Sequence, residues 1–230
     1  MRLPTIGAVC ALLTVVGFVI GIALMATHGV EVLIPETGQD RAKWIADVQD
    51  AGNWFVAGAW IVVLAGLIGV IAILGFWDLL KHAGPFMLIA SVAGGVGLTL
   101  VTISHAVPIA IAQELAPDYT TADASTFDTF ASMCLVLNYF GNVFNWAVMT
   151  PLYAVAVLRT RALPRWVGYL GLVPAVFAGW LGVFAPLSSL IEEVTSIGFF
   201  AFFAFLASMG ITILRRRDQP VPEATDAVLS

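Results

Sequence analysis

Charged side chains are scarce in this sequence. Of its 230 residues, 11% are Asp, Glu, Lys or Arg and 60% are hydrophobic. A soluble domain carries about 25% charged residues, so a water-facing surface cannot be assembled from this supply. The same shortage excludes a disordered chain, which needs high charge and low hydrophobicity. It also excludes a nucleic-acid binder, which needs a basic patch against phosphates. Cysteine is nearly missing. Cys10 and Cys134 stand in separate apolar stretches and give no disulfide framework and no metal-ligand spacing. Both read as small apolar packing residues. No Gly-rich phosphate loop, H-E-x-x-H or G-x-S-x-G occurs. The adjacent pair Ser104–His105 would point about 100° apart on a helix, which predicts no nucleophile–base contact. The chain is therefore read as non-enzymatic.

Long apolar runs are what the sequence has in abundance. Residues 5–27, 54–77, 85–113, 130–158, 166–187 and 194–214 contain no Asp, Glu, Lys or Arg. Each exceeds the roughly 20 residues that cross a ~30 Å hydrocarbon layer as a helix. The expected fold is all-α, a transmembrane bundle of six helices, with residues 1–217 as one six-span domain and 218–230 as a polar, disordered tail. The first run has 23 residues. It is longer than the 7–15 of a signal-peptide core and has no clear A-x-A site after it, so a retained span is expected.

The few charges sort by side. Arg2, Lys81, Arg159, Arg161, Arg165, Arg215, Arg216 and Arg217 flank one side of the runs; only Arg41 and Lys43 flank the other. The positive-inside rule then puts both termini in the cytoplasm. The connections net +4 inside and −9 outside. The expected location is the plasma membrane. The excess of Arg over Lys, with abundant Ala and Val, points to a GC-rich bacterial genome. Between the first two runs, residues 40–50 carry Trp44, Ile45 and Val48 on one helical face. They are read either as a short helix lying in the outer interface or as a loop that Trp44 anchors at the headgroups. Ser125 with Asp128, and Ser189 with Glu192, match the capping-box pattern at helix starts. Gly17 with Gly21, and Ala65 with Gly69, have the spacing of close helix contacts, and the phenylalanines of 199–205 suit a lipid-facing helix.

Function has to be sought among polar residues inside the runs, since polar side chains in lipid are confined to helix contacts or cavities. Asn138, Asn142 and Asn145 recur at i, i+4 and i+7, one face of the fourth span. They serve either as interhelical hydrogen-bonding glue or as a polar pathway. In the third span, Gly94, Gly95 and Gly97 precede Ser104, His105 and Pro108. Pro108 cannot donate to the carbonyl of Ser104 and leaves that oxygen free beside the imidazole. Ser104, His105, Asn138, Asn142 and Asn145 are thus the candidate ligand or ion pathway. His28 at the outer end of the first span, with His105, is the pair that a bis-haem-ligand arrangement or a metal ion would use. No cofactor is favoured.

The segment Leu158-Arg159-Thr160-Arg161-Ala162-Leu163-Pro164-Arg165-Trp166-Val167-Gly168-Tyr169-Leu170-Gly171 resembles the cytoplasmic hinge and fifth span of uncharacterised bacterial six-helix membrane proteins, a domain-of-unknown-function group. The resemblance implies a six-span fold and brings no activity or site residues. In that hinge the arginines snorkel, Pro164 starts a helix, Trp166 anchors, and Gly168 and Gly171 pack. Partners expected are the lipid bilayer and other membrane subunits or a second copy, not nucleic acid. The first functional expectation is an accessory subunit of a membrane complex, or an unassigned role. The alternatives are a small transporter or channel with a pathway between spans three and four, and a haem- or metal-dependent redox protein.

Overall fold

The computed structural model describes residues 2–30, 34, 41–187 and 189–217, without the side chains of His28, Thr121, residues 185–194, Ser196 and Arg217. Among the described residues every regular element is helical. They are α1 (Leu3–Met25), α2 (Arg41–Ala51), α3 (Asn53–Leu80), α4 (Phe86–Ala110), α5 (Ala124–Asn142), α6 (Thr150–Thr160), α7 (Arg165–Pro174) and α8 (Ser189–Arg217). Three π-helical segments, Ile111–Leu115, Val143–Met149 and Ala175–Trp180, continue α4, join α5 to α6, and extend α7. The result is six stretches long and apolar enough to cross a membrane: Leu3–Met25, Asn53–Ala83, Phe86–Leu115, Ala124–Thr160, Arg165–Phe184 and Ile197–Arg216. They match the six apolar runs in number and order. The fourth is 37 residues long because the polar segment before Phe130 winds as helix too.

Small residues set the closest packing. α1 runs antiparallel to α3, with Gly7 against Gly75, Gly17 against Ala65, and Gly21 against Gly58 and Val62. A β-carbon on Gly75 would come within 2.5 Å of the Gly7 Cα, so backbones touch there as only glycine allows. Thr14 Oγ1 donates across the same interface to the Ala65 carbonyl at 3.1 Å. α4 and α5 cross where Gly97 faces Gly141: a β-carbon on either would meet the other's carbonyl oxygen at 2.7 Å. Gly94 packs on Met149, whereas Gly95 has no atom within 4 Å of its β-position and takes no part in a helix contact.

The outward faces are apolar. Leu64, Leu67, Leu74, Leu88, Ile89, Val92, Phe140 and Phe200 are all exposed. Of the phenylalanines on α8, only Phe200 suits the lipid-facing expectation. Phe202 and Phe205 are buried in the core, and Phe199 and Phe203 are partly buried. Trp54 and Trp166 are exposed at opposite ends, while Trp77 is half-buried under Lys81, whose Nζ lies 5.4 Å from its ring.

The two ends differ in charge. At the basic end, Arg216 donates to the Ala162 carbonyl, Arg159 lies 5.7 Å from the Phe86 ring, and Lys81 pairs with Asp78 at 2.6 Å. The hinge follows its expected helix start and glycine packing. Arg161 takes a left-handed conformation (φ 55°) after α6, Pro164 precedes α7, Gly168 packs on Leu158, and Gly171 packs on Phe205. At the acidic end the short helix expected over residues 40–50 forms as α2. Trp44, Ile45 and Val48 are buried, with Trp44 set edge-on to Phe55 and Phe127, so the apolar face is docked on the bundle. The capping expectation at Ser125 fails. α5 starts at Ala124 without a side-chain cap, and Asp128 pairs with Arg41 at 2.8 Å. Asp123, just before it, accepts from the amide and hydroxyl of Thr120. Those bonds hold its carboxyl below the usual range, so they weaken as pH falls through its pKa. The Ser189–Glu192 pair lies outside the described side chains.

Candidate functional site

A cavity of about 420 Å³ opens where the two halves of the core meet. Four helical rods wall it. α1 contributes Thr14, Phe18 and Ile22; α4 contributes Leu98, Val101 and His105. α5 and its π-helical extension contribute Asn138, Asn142, Asn145 and Trp146, and α8 contributes Thr195 and four phenylalanines. Four of the five sequence-predicted residues therefore share one space. Ser104, the fifth, is buried behind it and is not on the wall.

The chemistry around His105 is set by one carbonyl. Val101 O lies 2.8 Å from His105 Nδ1 and 2.7 Å from Ser104 Oγ. A carbonyl only accepts, so Nδ1 carries the hydrogen and Nε2 of the neutral ring presents a lone pair. Ser104 Oγ does come within 3.3 Å of Nδ1, closer than 100° of helix rotation suggests, because both side chains curl back to the same oxygen. Both hydrogens are committed there, so the imidazole does not activate the hydroxyl. The ring of Phe18 stands edge-on to His105, with centroids 6.1 Å apart.

The carbonyl freed by Pro108 is not open to a ligand. Ser104 O accepts from Cys134 Sγ at 3.2 Å, so Cys134 is a hydrogen-bond donor from α5 and more than an apolar filler. α4 continues past Pro108 to Ala110 and then widens into the π segment Ile111–Leu115.

On α5, Asn142 Nδ2 donates to Asn138 Oδ1 at 3.2 Å. Two amides on one face thereby orient each other and keep further N–H groups for a third partner. Asn145 is 2% exposed, its Oδ1 lies over Gly97, and that oxygen has no hydrogen-bond partner. Trp146 Nε1, 8% exposed as a residue, is also buried without a partner. A buried polar group left unpaired costs about 1–3 kcal/mol, and here two neighbours on one cavity wall carry that cost.

The π segment Val143–Met149 brings these neighbours together. Asn145 O accepts both the amide and the hydroxyl of Thr150, the hydroxyl at 2.6 Å, and Ala147 O, which Pro151 cannot supply with an N–H, accepts from Trp180 Nε1 at 3.2 Å. Gly179 in the facing π segment allows the approach, since a β-carbon there would meet Trp146 O at 2.6 Å. Such π insertions concentrate at functional sites. Sequence reasoning missed Trp146 and the α1 and α8 walls. Thr14, Phe18 and Ile22 do recur at i, i+4 and i+8, which marks a face but not the helix it meets.

The side chain of His28 lies outside the described residues, so its pairing with His105 has no structural description. Among the described residues no group of three or more His, Cys, Asp or Glu side chains is gathered that could hold a metal ion. Comparison of the chain with protein-family models, with curated proteins and with solved structures gives no match.

Proposed function

We propose that the protein is a multi-pass protein of the plasma membrane, with both termini cytoplasmic, that binds a small molecule non-covalently in the cavity between α1, α4, α5 and α8. Six long apolar helices with apolar outward faces support the membrane reading. The basic end, holding Arg2, Lys81 and the hinge arginines, supports the orientation. The resemblance of the Leu158–Gly171 hinge to uncharacterised bacterial six-helix proteins belongs to the same proposal. Ligand binding rests on a single observation: one cavity gathers His105, Asn138 and Asn142, whose side-chain hydrogen bonds run within their own helices, His105 to Val101 and Asn142 to Asn138. Interhelical glue would pair those groups with a neighbouring helix. A cavity of this size, apolar with a few convergent polar groups, has the makeup of a small-molecule site.

Native mass spectrometry of protein purified in mild detergent tests this. We expect a small-molecule adduct that is lost in Asn142→Leu while the variant stays monodisperse. A wild-type protein free of any adduct, carrying a stoichiometric protein partner instead, would overturn it in favour of an accessory subunit.

A further inference from the structure

We infer that the ligand is an uncharged, membrane-soluble ring compound bearing a hydroxyl, a phenol or quinol, and that it reaches the cavity sideways from the bilayer past Phe200. The inference rests on the ligand-binding reading above and adds the chemical class and the route.

Three observations carry it. First, the wall contains no Asp, Glu, Lys or Arg among the described residues. An ionised ligand at this depth would have no counter-charge, and an uncompensated charge is strongly disfavoured in a low-dielectric interior. The ligand is therefore neutral. Second, the free hydrogen-bonding capacity is of both kinds. His105 Nε2 accepts, while the remaining Asn138 and Asn142 N–H groups donate. A hydroxyl satisfies both sides with one group, donating to the imidazole and accepting from an amide. A ketone or ether leaves His105 unpaired. Third, the rest of the wall is aromatic and aliphatic, with Phe18, Phe199 and Phe203 tilted or edge-on to one another at centroid distances of 4.9–5.3 Å. Such surfaces take a flat ring in offset or edge contact.

The route follows from Phe200. It lines the cavity and is also 71% exposed on the outward face of α8, so the space reaches the apolar exterior there and not only the bundle ends. A tail too long for 420 Å³ can then trail into lipid while the ring stays inside.

Photolabelling of the full-length protein in vesicles with a diazirine-bearing dialkylphenol tests class and route together. Its O-methyl ether keeps the shape and loses the donor. We expect cross-links on peptides containing Phe18 and Phe199–Phe203. We expect labelling at least tenfold weaker for the ether and for His105→Phe, and largely restored in His105→Gln, which keeps an acceptor. Decyl hydroquinone should compete, and unsubstituted phenol at equal aqueous concentration should not, which separates a membrane-borne ligand from one arriving through water. Equal labelling by phenol and ether, or an extracted native ligand with a fixed charge, would overturn the chemical class while ligand binding stands. Competition by unsubstituted phenol as strong as by decyl hydroquinone would overturn the lateral route. No labelling of these peptides by either probe, in a protein without a native adduct, would remove the ligand-binding reading too.

Discussion

At the scale of single residues, two kinds of interior contact can be ranked. Tyr153, 1% exposed, reaches the Ile73 carbonyl at 3.1 Å and the Ser91 hydroxyl at 2.9 Å, tying α6 to α3 and α4. Side-chain hydrogen bonds between helices in membranes average ~0.6 kcal/mol and reach at most ~1.7. Glycine contacts differ in kind, because a β-carbon on Gly75 would overlap backbone that cannot rotate away. Overpacking of that sort costs about 1–3 kcal/mol. Gly75→Ala should therefore lower the thermal midpoint in detergent more than Tyr153→Phe does. Gly95→Ala, at a position with open space around it, should be neutral or raise the midpoint, since alanine is up to ~1 kcal/mol the better helix former. A midpoint for Gly95→Ala as low as that for Gly75→Ala would disprove the distinction. Sequence alone did not separate these glycines. Gly95 and Gly97 are two residues apart in the same run, and only the position of α5, with Gly141 facing Gly97, decides which one is a contact.

Among the elements, α2 shows how packing completes a local expectation. Its pattern of Trp44, Ile45 and Val48 on one face was legible, but the pattern is the same for a helix docked on protein and one lying on lipid. What decides is the receptor. Phe55 and Phe127 stand at the acidic end in edge contact with Trp44, Arg41 reaches Asp128, and Gln49 Nε2 donates to Ala116 O. The ion pair has side chains 25% and 29% exposed, and pairs open to solvent contribute about 0–1 kcal/mol. Truncating a buried aromatic costs about 3–5 kcal/mol. Trp44→Ala should thus release α2 to trypsin at Arg41 and Lys43, whereas Asp128→Asn should leave cleavage near the wild-type rate. Release by Asp128→Asn but not by Trp44→Ala would show that the ion pair, not the indole, holds the helix. The same logic explains why the candidate site was half legible. The asparagine face follows from helical period, and so does His105. The π segment was not read from the sequence, because Pro151, which leaves the Ala147 carbonyl without its helical donor, does not show that the Trp180 indole and the Gly179 gap lie opposite.

For the whole molecule the open variable is direction. The same bundle would fit a bilayer either way up, since its outward faces are apolar along the length of the spans. Direction must come from the ends, and there the asymmetry is in the basic residues, eight against two. Acidic residues contribute little to orientation, so the proposed direction does not rest on the carboxylates of the acidic end. Two consequences can be measured with reporters fused after Arg217. A fluorescent protein that folds only in the cytoplasm should light up, and alkaline phosphatase at the same position should be silent. Replacing the hinge residues Arg159, Arg161 and Arg165 with Gln leaves five basic residues against two, so the reporters should keep their readings. Adding arginines around Arg41 and Lys43 in that background until the balance reverses should divide the population between two orientations. Active phosphatase after Arg217 in the unmodified chain would invert the bundle. The cavity and its lipid-facing rim at Phe200 would keep their geometry under that inversion. What would change is the leaflet in which the ring of a bound ligand lies, so orientation and ligand route can be tested independently.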